Sequence, residues 1–161
     1  VYTGGISNGT TIKGGNSHIS GGTANGTIID GGGQKVTTQG HVDGTTINKS
    51  GYQDITQGSI ATNTIINGGR QYVEQSTVGT TTIKNGGEQR VYESHALDTT
   101  IEGGTQSLNN KSTAKILRSI LVVRKLLITP APRMLLKFIP VACLMLVVVR
   151  QQMLPSTMVQ F

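Results

Sequence analysis

The stretch TIINGGRQYV, residues 64–73, holds the unit from which most of the chain is built. An aliphatic residue is followed after one or two spacers by a glycine pair, and then by x-Gln-x-aliphatic. TTIKNGGEQRV (81–91) and TTIEGGTQSL (99–108) repeat it closely, and TTIKGGNSHI (10–19), IIDGGGQKV (28–36) and TTINKSGYQDI (45–55) repeat it more loosely. Gln34, Gln53, Gln71, Gln89 and Gln106 follow one another at spacings of 19, 18, 18 and 17. The leading aliphatics Ile12, Ile29, Ile47, Ile66, Ile83 and Ile101 keep the same period, as do the trailing Ile19, Val36, Ile55, Val73, Val91 and Leu108. A fixed period of this size is the mark of a solenoid.

Between these units lies a weaker half-motif, seen in GGTANGTI, GHVDGTTI, GSIATNTI and SHALDTTI. Thr, Ile, Val and Tyr favour strands, while Gly-Gly and Asn-Gly suit corners that need a positive φ. No 3.6-residue apolar period runs through residues 1–115, which argues against helix. Each unit therefore reads as about two short strands separated by glycine turns. One unit cannot bury its few inward aliphatics alone; stacked coils cover one another's apolar faces. Each fully buried aliphatic contributes roughly 1.5–3 kcal/mol, against about 1–2 kcal/mol per residue for ordering the backbone. The expectation is an all-β parallel solenoid of about six coils of 17–19 residues, held by the two aliphatic ladders, with open edges at uncapped end coils.

The pattern GG-x-Q-x-V followed by G-x-A-x-x-T-x-I resembles the passenger repeats of AIDA-type autotransporter adhesins. GGISNGTTIKGG (4–15), GTTINKSGYQD (44–54), NGGRQYVEQST (67–77) and NGGEQRVYES (85–94) carry the resemblance, which covers residues 1–115. It implies a right-handed parallel β-helix on the outer face of a Gram-negative cell, exported by a signal peptide and anchored by a C-terminal β-barrel. It implies adhesion, autoaggregation and biofilm formation. The partners would be other passengers or host and abiotic surfaces, with membrane contact only through the barrel. This chain begins VYTGGISNGTT and shows neither a signal nor a barrel, so its own location stays open.

The chain changes character near Lys115. All 22 glycines precede residue 116; all four prolines, all four methionines and Cys143 follow it. The first 115 residues carry eight basic and eight acidic side chains, so the tail supplies the whole net charge of +6. A basic pI would ordinarily point to nucleic acid or a membrane surface, but here it describes the tail alone, and no nucleic-acid partner is expected. A single cysteine rules out an intrachain disulfide. MLLKFIPVACLMLVVV (134–149) is 16 residues long and contains Lys137 and Pro140, short of the roughly 20 apolar residues of a spanning helix. Pro130, Pro132 and Pro140 are spaced to break a surface helix. A third reading is favoured: residues 116–161 are further repeats translated out of frame. Permitted codons for SILVVRKLLIT reread as S-G-G-T-Q-I-V-D-N, which returns a glutamine in register with the series. Under that reading the chain is a truncated product, and its tail is poorly structured or partly helical.

Other constellations are weak. His18, His41 and His95 are separated by 23 and 54 residues, unlike metal sites with short fixed spacings. DGGGQK (30–35) lacks the spacing and helix of a phosphate loop, and its aspartate does not recur as a calcium nonapeptide requires. Sequons at Asn8, Asn25, Asn48 and Asn110 suit corner turns. No catalytic residue, cofactor or metal is expected. The candidate contact surface is a polar ladder taken to be exposed, Thr81 and Thr82 over Thr99 and Thr100. The competing reading is a solenoid that binds or cleaves polysaccharide, for which Asp43, Asp54, Glu74, Glu88 and Glu93 look dispersed, although Glu74 and Glu93 come close in phase.

Overall fold

A computed structural model describes residues 1–119, with side-chain surroundings through Lys115. The tail readings, including the membrane segment, Cys143 and the recovered repeats, lie outside the described residues.

The described chain is all strand and forms a parallel β-solenoid of about six coils. One face is a six-stranded sheet made of Asn16–Ser20, Gly33–Thr37, Tyr52–Ile55, Arg70–Glu74, Glu88–Tyr92 and Thr105–Asn109. The other is a ten-stranded sheet. Its early coils use two short segments each, such as Thr23–Asn25 with Ile28–Ile29. Its later coils fuse the two into one long strand, as in Ile60–Asn67, Thr77–Lys84 and His95–Glu102. The early coils thus contain three strands each, where the sequence suggested two. The extra break falls at a bend inside the half-motif.

Parallel pairing sets like residues over like. Ile12, Ile29, Ile47, Ile66, Ile83 and Ile101 stand in register and form one buried apolar stack. Ile19, Val36, Ile55, Val73, Val91 and Leu108 form a second column, packed against Ala24, Val42, Ala61, Val78, Ala96 and Ala114. The small Ala/Val column leaves room for the larger side chains facing it. Two glycines at one corner divide the labour. Gly68, at φ 83°, takes the left-handed conformation, which a residue without Cβ adopts at no steric cost. Gly69 has no room for a Cβ, which would meet the Asn48 carbonyl oxygen at 2.5 Å.

At the last described strand, Thr113–Ser119, the register with His95–Glu102 becomes irregular. The position opposite Ile101 is Ser119 rather than another aliphatic residue. The Ile column thus loses its uniform chemistry where the composition changes, while Ala114 still continues the Ala column.

Candidate functional site on the outer face of the six-stranded sheet

Side chains alternate across a strand, so the inward Gln and Val positions of each repeat dictate what points out. The inward glutamines form a buried amide ladder. Gln53 Nε2 donates to Gln34 Oε1 at 2.8 Å, Gln71 to Gln53 at 2.7 Å, Gln89 to Gln71 at 2.7 Å and Gln106 to Gln89 at 2.6 Å. Threonines on the side of the ten-stranded sheet accept a second bond: Thr27 from Gln34 and Thr45 from Gln53, each between two short strands, both at 3.2 Å, and Thr99 from Gln106 at 3.2 Å. Burying an amide without partners costs several kcal/mol; the ladder supplies those partners from coil to coil.

This geometry corrects the expected contact surface. Thr81 and Thr99 are buried, at 1% and 0% exposure. Both hydroxyls face the ladder, Thr81 accepting from Gln89 at 3.5 Å. The reason is parity. Ile83 and Ile101 point inward, so the residues two positions earlier do too. Thr82 and Thr100 point outward, half-buried, in one column with Ile65. The Ile-to-Thr spacing in the sequence already contained that signal.

The chemistry concentrates instead on the outside of the six-stranded sheet. Three outward columns run across it: Asn16, Gly33, Tyr52, Arg70, Glu88 and Thr105; His18, Lys35, Asp54, Tyr72, Arg90 and Ser107; and an edge column holding Glu74 and Tyr92. Tyr52, Tyr72 and Tyr92 therefore fall on a diagonal across successive coils. The Tyr52 ring lies over the bare backbone of Gly33, and its hydroxyl donates to Asn16 Oδ1 at 2.7 Å. The Tyr72 and Tyr92 rings meet at 5.2 Å, tilted by 41°, a favourable aromatic separation.

Charged groups bracket the rings. Arg90 Nε donates to Glu88 Oε1 at 2.7 Å, and Arg70 Nε lies 3.6 Å from the other Glu88 oxygen. The Glu88 bond holds the Arg90 guanidinium even more firmly protonated than usual. Tyr52, Tyr72 and both arginines line one shallow depression; Lys35, Asp54, Tyr72 and Glu74 line its neighbour. Partial burial raises the Asp54 carboxyl, opposed by the Lys35 charge. Burial also raises the Tyr72 phenol, with Glu74 next in effect.

The structure thus brings Asp54, Glu74 and Glu88 to one face. Asp43 lies on the other sheet, where hydrogen bonds from Thr62 (2.6 Å) and Asn63 (2.7 Å) lower its pKa. Glu93 sits at a corner, accepting from Gln75 at 3.2 Å. Glu74 is registered with Tyr92, one position short of Glu93. His18 and His95 pair with threonines one coil away, Thr37 at 3.1 Å and Thr113 at 2.7 Å. Reading residue types alone missed the tyrosine diagonal, because it connects side chains 20 positions apart that share no motif.

Compared with known proteins, the chain matches no family model and no curated protein.

Proposed function

We propose that this chain is a segment of an AIDA-type adhesive passenger, acting at the outer surface of a Gram-negative cell by binding rather than by chemistry. One observation carries the reading. The inward columns keep their chemistry from coil to coil, Gln over Gln and Ile over Ile, while the outward columns of the six-stranded sheet change at almost every step, as in Asn16, Gly33, Tyr52, Arg70, Glu88 and Thr105. Uniformity inside serves stacking. Variety outside leaves the face free to recognise something. An aromatic and charged surface spread over several coils suits attachment to another cell, a host surface or an abiotic one.

Beads coated with the full 161-residue chain should attach to one another, to epithelial monolayers or to polystyrene more than albumin-coated beads do. Attachment no greater than albumin on all three sinks the proposal.

A second reading is cleavage of a polysaccharide, because Asp54 and Glu74 line one depression and burial raises Asp54. Two carboxyl groups lining one depression, one of them raised by burial, is an arrangement that an acid–base pair uses. Release of new reducing ends from a soluble glycan, lost in Asp54→Asn, would establish it; no release dismisses it.

A further inference from the structure

We propose that the tyrosine diagonal of the six-stranded sheet is a binding site for an uncharged oligosaccharide. The inference rests on the reading of this face as the binding surface and names its ligand class.

Three features define the chemistry. First, the site offers aromatic faces. Tyr52 is 40% exposed and is pinned by its bond to Asn16 and by the backbone of Gly33 beneath it. Rings fixed in this way lose little rotational freedom when a ligand stacks on them. Second, the surrounding charges cancel: Lys35, Arg70 and Arg90 against Asp54, Glu74 and Glu88. A polyanion would meet as much repulsion as attraction, and so would a polycation. Third, those paired groups still present oriented donors and acceptors around the rings. Apolar ring faces amid balanced hydrogen-bonding groups fit a sugar chain, whose C–H faces stack and whose hydroxyls bond at the rim.

Dimensions agree. The Tyr72 and Tyr92 ring centroids lie 5.2 Å apart and the Tyr52 ring extends the row over Gly33, so the rings reach across three strand spacings, roughly 14 Å, the length of a short oligosaccharide. The patch covers about 250 Å², from three strand spacings and five residues of strand. That is well below the roughly 800 Å² per partner of a stable protein interface.

The chain contains no tryptophan and four tyrosines, so its intrinsic fluorescence reports largely on this face. The full chain is titrated with neutral tetrasaccharides (β-linked glucose, N-acetylglucosamine and mannose) and with heparin as a polyanion. At least one neutral tetrasaccharide should change the tyrosine emission saturably. Tyr72→Ala should weaken that binding about tenfold or more, as should Tyr52→Ala, which removes no ring–ring contact. Tyr2→Ala, away from the diagonal, should leave it unchanged. Circular dichroism confirms that each variant keeps its strands. Binding of heparin alone, no neutral binding, or neutral binding indifferent to Tyr52 and Tyr72 each overturns the proposal. The bead assay separates the two claims. Attachment without sugar binding overturns the ligand class and keeps the adhesive reading; sugar binding without attachment does the reverse.

Discussion

A single glutamine shows how this interior is organised. Gln71 donates to Gln53 and accepts from Gln89, both at 2.7 Å, with no exposure to speak of. Replacing it with leucine removes one link and leaves two buried groups short of a partner, each costing about 1–3 kcal/mol. Gln71→Leu should therefore destabilise the fold by about 2–6 kcal/mol in urea unfolding. Gln106→Leu should cost less, since the Gln106 Oε1 atom has no partner among the described residues. Equal costs at the two positions would contradict a cooperative ladder. Asp54 makes a separate prediction through pH. Burial raises its folded pKa above the ordinary 3.8, so the folded state holds the proton more tightly and the ionised form disfavours folding. That penalty is full above the folded pKa and vanishes below 3.8. Asp54→Asn should raise the urea midpoint at pH 7 and give little change near pH 3. A lowered midpoint at pH 7 would show that Lys35 outweighs burial.

At the scale of the coil, the corners decide what can be stacked. The glycine pair was legible in the sequence because both members repeat, yet only the structure separates their roles. Gly69→Ala would drive its Cβ into the Asn48 carbonyl and the Ile47 side chain, both at 2.5 Å. It should lower stability by well over 1 kcal/mol, measurable as a fall in Tm. Gly79→Ala has its nearest contact at 3.8 Å and should change Tm little. A second corner was legible only in its early coils, where Asn-Gly marks it at Gly9 and Gly26. Asn63, Thr80 and Asp98 hold φ of 52°, 47° and 55° in the column begun by Gly9, Gly26 and Gly44. Thr80 gave no sign of this, since the left-handed region is unusual for a β-branched residue. The neighbouring coils impose it. The Thr81 and Thr99 correction has a different origin: parity with the Ile ladder determined it, and a reading of residue type alone set parity aside.

Over the whole molecule, the repeat makes the interior readable and the exterior obscure. A column of Ile or Gln announces itself because identical residues recur every 17–19 positions. The tyrosine diagonal depends on residues that do not repeat, brought together only once the coils are stacked. Function, on this account, belongs to that face and not to the threonines of the opposite sheet. The most direct measurement compares attachment of beads carrying three versions of the full chain: unaltered, Tyr72→Ser with Arg90→Ser, and Thr82→Ser with Thr100→Ser, each with unchanged circular dichroism. The account predicts that the Tyr72/Arg90 variant loses most of its attachment while the Thr82/Thr100 variant keeps it. Attachment lost through the threonines and kept without Tyr72 and Arg90 would place the binding surface on the other sheet and contradict the account.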